Sequence, residues 1–268
     1  MYKAVFLDMD GTFLKSDHTV SDANKLAVKT LLAKGIIVVP ISARPLHGML
    51  PITNTVFTPE MPVVSLNGSY ILHNNEIIYQ VAVALPDTLS IHEEIKSYAV
   101  TPMYYSQMEW YAEVDNDRIK KEQRITDVAI KIQHFEQIFA EWEAKGIGPN
   151  KILIAGDKDL ILSVEEKLIN RHQGNLNIFK SQPSYLELMN IHASKTRAIQ
   201  FLIEKYGIKQ SEIVAMGDNY NDKGMIAFAA MGVAMGNAPD EIKAVANYVT
   251  DTNNNDGVAK AIHHIFGF

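Results

Sequence analysis

Two carboxylates one residue apart, Asp8 and Asp10, follow directly on the apolar run Ala4 to Leu7 and precede a Gly11-Thr12 turn. Val5, Phe6 and Leu7 suit a strand buried on both faces, as in a parallel sheet. Ionised aspartate is seldom left in such surroundings without a partner, so a pair where a buried strand ends implies a bound cation. Ligands of open α/β sheets sit beyond the carboxyl ends of the strands, where this pair falls. The competing reading is a plain polar turn, since Asp-Gly is a common turn dipeptide. A calcium EF-hand is excluded, because its loop needs Gly at position six and Glu at position twelve between two helices.

Three other stretches carry groups of matching chemistry. Ser42 ends a second apolar run, Ile36 to Ile41, and a hydroxyl followed by open backbone N–H groups can hold a phosphate oxygen or merely cap the turn. Lys195 and Arg197 begin a helical pattern, where a cation opposes the macrodipole by ~0.3–1 kcal/mol. That placement makes sense if a helix N-terminus and a lysine face one anion, although a solvated lysine would tolerate the penalty. Gly217-Asp218-Asn219-Tyr220-Asn221-Asp222 follows the run Ile213 to Met216, with Gly217 permitting close backbone approach. Asp218 and Asp222 could face one point if a helix starts there, or could serve as an Asp-rich cap. Taken together, two acidic clusters, a hydroxyl and a lysine make a site for Mg²⁺ and a phosphoryl group. His263-His264 has no two-ligand spacing on its terminal helix and reads as surface.

These groups need a scaffold, and the outer thirds of the chain supply an alternating one. A helix over Ser21 to Lys34, capped by Ser21 or Asp22 and stopped at Gly35, is expected to bury Leu26, Leu31 and Leu32. Strands follow at Ile36 to Ile41 and Val63 to Leu66, then a hairpin of Tyr70 to Leu72 and Ile77 to Tyr79 around Asn74-Asn75. In the last third come a helix over Lys195 to Tyr206, strands at Ile213 to Met216 and Val233 to Met235, and helical segments over Ile242 to Ala246 and Gly257 to Phe266. This grammar predicts an α/β fold with a parallel, doubly wound sheet.

The middle is of another kind. Helices over Asp87 to Tyr98, Asp117 to Arg124, Phe135 to Lys145 and Lys158 to His172 alternate with an aromatic strand-like run, Met103 to Val114. Shorter strands are expected at Val128 to Gln133, Ile152 to Ala155, Leu176 to Lys180 and Tyr185 to Met189. The expected organisation is a core of 1–81 and 188–268 with an α+β insertion, 82–187. Tyr104, Tyr105, Trp110 and Tyr111 read as packing of a strand in that insertion, with stacking on a sugar or cofactor as the alternative.

Composition narrows the functional classes. The 268 residues carry a net charge of −6, with pI near 5.8, which leaves no basic footprint for nucleic acid. Cysteine is absent, which removes disulfides, thiolate catalysis and zinc–thiolate sites, and fits a reducing compartment. The early apolar run is too short for a signal peptide, and Met225 to Met235 is far below membrane-spanning length. The expectation is a soluble, cytoplasmic protein with no nucleic-acid or membrane partner.

With these motifs in order, the chain resembles the haloacid dehalogenase superfamily, and within it the Cof-type sugar-phosphate phosphatases with a large type IIB cap. The resemblance rests on Asp-Met-Asp-Gly-Thr at Asp8 to Thr12, Ile-Ser-Ala-Arg at Ile41 to Arg44, Lys195 and Gly-Asp-Asn-Tyr-Asn-Asp at Gly217 to Asp222. It extends to Leu66 to Ser69, Gly232 to Ala238 and Asn253 to Ile262. It implies a Rossmann-like core with an inserted cap that closes on the substrate. The implied substrate is a small phosphorylated metabolite, with Mg²⁺ as cofactor. Asp8 would then be nucleophile and metal ligand, and Asp10 acid/base, with a backbone carbonyl of Met9 or Asp10 near the metal. Lys195 would offset charge on Asp8 and the phosphate, and Asp218 and Asp222 would complete the metal site. Ser42, Ala43 and Asn221 would contact the phosphoryl group. Ala43 stands where the family usually has Gly, Thr196 follows the lysine where Gly is frequent, and Lys223-Gly224 replaces a more apolar pair. None of these removes a reacting group. A phosphomutase, or a non-catalytic phosphate-binding module, would share much of the motif set.

Overall fold

The computed structural model describes residues 1–58, 60–126, 128–172 and 174–268. The strands in chain order are β1 (Ala4–Asp8), β2 (Ile37–Ile41), β3 (Val63–Ser65), β4 (Tyr70–His73), β5 (Glu76–Gln80), β6 (Thr101–Ser106), β7 (Glu109–Ala112), β8 (Lys131–Ile132), β9 (Lys151–Ala155), β10 (Leu176–Gln182), β11 (Tyr185–Asn190), β12 (Ile213–Gly217), β13 (Met231–Ala234) and β14 (Tyr248–Val249). Two compact units emerge, one of residues 1–43, 49–79 and 194–268, the other of 44–48 and 80–193.

The first unit is built on the sheet β14-β13-β12-β1-β2-β3-β4-β5. Its strands are parallel from β14 to β3, and the β3–β4 pair is antiparallel. All five residues of β1 are buried, because helices cover both faces of a sheet whose strands run the same way. On one face Ala4, Phe6, Val39, Ile41 and Val64 pack with Ala198, Ile199 and Leu202 of the helix Lys195–Tyr206. On the alternate residues' side, the helices Asp22–Ala33 and Gly257–Phe266 pack together. The chain leaves β1 for β2 on one side, while β12 arrives on the other, so the strand order reverses at β1. Such a switch point opens a crevice at the carboxyl ends of the strands.

The second unit holds the sheet β10-β11-β9-β6-β7-β8, antiparallel except for the β7–β8 pair. One face is apolar and buries Tyr104, Ile152, Ile154, Leu186 and Leu188 against Ile91, Phe135, Phe139, Trp142 and Val164 of its helices. The Tyr104 ring meets Phe135, Phe139 and Trp142 edge-on, a geometry that aromatic quadrupoles favour. Tyr105, one residue on, faces the other way and stacks on Trp110 at 5.2 Å. Tyr104, Tyr105 and Trp110 are thus packing residues, buried to within 1% of full cover.

Several sequence expectations are corrected. The first helix buries Asn24, Ala27, Val28 and Leu31, whereas Leu26 is 68% exposed and Leu32 lies at the margin. The pattern of leucines alone misassigned the face, since the small Ala27 and the polar Asn24 complete the buried stripe. Asn24 is satisfied there by bonding Phe13 O at 3.4 Å and Ala259 N at 2.9 Å. A helix at Leu46–Val56 is hidden in the sequence by the Pro51 inside it; Leu46, Met49, Thr53 and Val56 still form a buried stripe, with Pro51 on the exposed face. The run Met103 to Val114 breaks into β6 and β7 at a turn where Gln107 has φ 56°. Val128 to Gln133 contributes only β8. The division between units falls after Tyr79 and before Ser194, because β11 runs continuously to Asn190 as part of the second sheet.

Candidate active site

Asp8 closes β1 and is buried. The chain then coils back on itself, with Phe13 N–H donating to Asp8 O at 3.2 Å and Leu14 N–H to Met9 O at 2.8 Å. Gly11 adopts φ +76°, and a Cβ there would overlap the Asp218 carboxylate. Only glycine lets this loop approach the acidic group. Thr12 Oγ1 donates to Asp218 Oδ1 at 2.9 Å.

On the neighbouring strand β2, Ile41 is the register partner of Asp8, so Ser42 is one step beyond it and is buried. Ser42 N–H donates to Val64 O and Ser42 O accepts from Asn67 N–H, both at 2.9 Å. Leu66, Asn67 and Gly68 all take positive φ (48°, 53° and 90°), which glycine and asparagine accept readily and which strains only Leu66. A Cβ on Gly68 would overlap the Ser194 carbonyl, so the turn is seated against the start of the helix Lys195–Tyr206. Asn67 Oδ1 accepts from Asn221 Nδ2 at 3.0 Å.

That helix is capped by Ser194, whose side chain accepts from Arg197 N–H at 3.2 Å. Its first residue, Lys195, sends a buried ammonium group between two carboxylates, donating to Asp8 Oδ1 and, at 2.5 Å, to Asp222 Oδ1. Asp222 Oδ2 in turn accepts from Asp218 and Asn219 N–H groups, each at 3.0 Å. A short 3₁₀ turn, Tyr220–Asp222, rather than an α-helix, brings Asp218 and Asp222 together.

Asp8, Asp218 and Asp222 each offer a carboxylate oxygen within 4.8 Å of the others. With all three ionised and one ammonium among them, the cluster would hold two negative charges in excess. Burial pushes the Asp8 carboxyl well above the usual range, and Asp222 reinforces this against the opposing pull of Lys195. Burial likewise pushes Asp218 up to about 6. For Lys195, burial would depress the ammonium, but Asp222 and Asp8 outweigh it and hold its pKa above the ordinary value. Uncompensated negative charge on hard oxygen donors is what a divalent cation of the Mg²⁺ kind neutralises, so the residues present fit such an ion.

Asp10 does not join the three. Its side chain is 43% exposed and lies 3.7 Å from His18 Nδ1, so it stands outside the trio of clustered carboxylates. Ala43 is half-buried beside Ser42, and Asn221 is exposed. His263 and His264 are exposed, and His264 stacks on Tyr248. Thr12, Asn67 and Asn237 lie in the same network without having been singled out by residue type; their signal was the motif around each.

A family model of haloacid dehalogenase-like hydrolases matches residues 5–262. A Haemophilus influenzae protein, provisionally named a phosphatase, is 38% identical over 269 residues, which cover 99% of this chain and 99% of that protein. The 5-amino-6-(5-phospho-D-ribitylamino)uracil phosphatase YcsE of Bacillus subtilis is 31% identical over 264 residues, covering 98% of this chain and 95% of its own. A solved haloacid dehalogenase-like hydrolase from Bacteroides thetaiotaomicron superposes with a TM-score of 0.90 at 33% identity, covering 99% of this chain and 100% of that one. The chain belongs to the haloacid dehalogenase-like hydrolases. Within that family its enzyme class is phosphatase. Among the described residues no helix is long and apolar enough to cross a membrane.

Proposed function

We propose that the protein is an Mg²⁺-dependent phosphomonoesterase for small phosphorylated metabolites, sugar phosphates foremost, working through an aspartyl phosphate on Asp8. The observation that carries this reading is the buried Lys195 ammonium shared by Asp8 and Asp222, with Asp218 in reach of both carboxylates. Asp8 and Asp218 would hold the metal. Asp222, whose oxygens are already engaged by Lys195 and two N–H groups, would support it, and Asp10 would contribute through its backbone. When bound, Mg²⁺ supplies positive charge that offsets repulsion between a carboxylate and a phosphate dianion.

In the first half-reaction an Asp8 oxygen bonds to phosphorus as the ester P–O bond breaks, and the leaving alkoxide takes the proton of Asp10. In the second, Asp10 removes a proton from water, whose oxygen bonds to phosphorus and expels the Asp8 carboxylate. Lys195 keeps its charge throughout and offsets that of Asp8 and the phosphoryl group. Ser42, the Ala43 N–H and Asn221 are assigned to the phosphoryl oxygens. The second unit is assigned, as an inserted cap, to substrate selection. The ribitylamino-uracil phosphate handled by YcsE supports a small polyhydroxylated ester as substrate.

The test is phosphate release from a panel of sugar and ribityl phosphates, with Mg²⁺ and with a chelator. Wild type should release inorganic phosphate only with metal, and Asp8→Asn should lose on the order of 10⁴-fold or more. An Asp8→Asn protein at the wild-type rate would refute the nucleophile, and isomerised product without free phosphate would refute hydrolysis.

A further inference from the structure

The segment Gly232 to Ala238 plays no part in the chemistry above, yet it brings Asn237 to the acidic cluster. Asn237 Nδ2 donates to Gly11 O at 2.9 Å and reaches Asp218 Oδ2 at 3.3 Å. Its Oδ1 accepts from Asn253 N–H at 3.0 Å, which orients the amide so that its donor end faces Asp218. Asn253 is buried and sends its own Nδ2 to Leu14 O at 2.8 Å. One side chain thus ties together the loop that carries Asp10, the carboxylate of Asp218 and the turn at Asn253. Thr12 holds the other oxygen of Asp218, so both oxygens of that carboxylate have directed donors. Asn237 is itself exposed, so its replacement leaves the buried core untouched.

We propose that Asn237 is a positioning residue of the phosphatase site, fixing the Asp218 carboxylate relative to the backbone that follows Asp10. The proposal rests on Asp218 being a metal ligand. Groups that orient ligating carboxylates affect metal affinity and turnover together.

Three variants separate this from a merely structural role. Asn237→Leu keeps the volume and adds no charge beside Asp218, but loses donor and acceptor. Asn237→Ala loses both. Asn254→Ala removes bonds to Ser16 in the same loop without touching Asp218. Mg²⁺ is titrated calorimetrically into each metal-free protein, and kcat and KM for p-nitrophenyl phosphate are measured at saturating Mg²⁺. Both Asn237 variants should bind Mg²⁺ about 10–100-fold more weakly, with lower kcat and little change in KM, while the melting temperature falls by only a few degrees, much as in Asn254→Ala. Asn254→Ala should match wild type in Mg²⁺ affinity and kcat. The proposal is overturned if Asn237→Leu and Asn237→Ala retain wild-type Mg²⁺ affinity and kcat, or if Asn254→Ala loses as much as Asn237→Ala. If wild type itself neither binds Mg²⁺ nor hydrolyses the ester, the underlying reading of the site falls before any variant is compared.

Discussion

Replacing a metal ligand should make the metal-free protein more stable. Asp218 lies beside Asp8 and Asp222, and burial raises its pKa from 3.8 to about 6. Each unit of such a shift corresponds to about 1.4 kcal/mol, so holding this carboxylate ionised above pH 6 costs at most about 3 kcal/mol. The side chain is only partly buried, and solvent screening reduces that figure. The neutral amide introduced by Asp218→Asn would still accept from Thr12 but lose the contact from Asn237, a loss of about 1 kcal/mol. A net gain of about 1–2 kcal/mol remains for Asp218→Asn at pH 7.5, or a rise of roughly 2–8 °C in melting temperature. The sign follows from linkage. A carboxyl group whose folded pKa exceeds its unfolded one loses stability as pH rises through the folded value. The advantage of Asp218→Asn should therefore vanish near pH 4, grow up to pH 6 and level off above it. Thermal unfolding in chelator across this range is the assay. Adding Mg²⁺ at 100 times its Kd should raise wild type alone, by about 2.7 kcal/mol, and reverse the order. A variant that melts below wild type in chelator at pH 7.5, or a gap independent of pH, would refute the electrostatic account.

Lys195→Met should destabilise the fold by about 3–5 kcal/mol, because Asp8 and Asp222 then face each other with no buried cation; urea unfolding measures this. Gly11→Ala forces a Cβ into the Asp218 carboxylate at φ +76°, so the Mg²⁺ concentration for half-maximal activity should rise about 10–100-fold. Trp142→Ala, in the aromatic core of the second unit, should cost about 3–5 kcal/mol in that unit's stability, read by denaturant unfolding followed by circular dichroism.

Much of this was legible locally. The helix Lys195–Tyr206 begins at its Ser194 cap and stops at Gly207, and Phe135–Lys145 stops at Gly146, as the local residues say they should, since caps act within one turn. The acidic pairs announced themselves because a carboxylate beside a buried strand requires explanation. Less legible were the helix across Pro51 and the inward face of the first helix, where small and polar residues fill the buried stripe.

From the sequence alone came the alternation of strands and helices, the family and the inventory of reacting groups, all of which depend on short-range pattern. Only the tertiary structure decided that Asp8, Asp218 and Asp222 gather while the Asp10 carboxylate stays outside that cluster, and that Lys195 bonds a partner 187 residues away. Nearness in space, and the burial that shifts the charges of Asp8 and Asp218, arise when separate strands meet at the switch point of the sheet, which no local stretch of chain encodes.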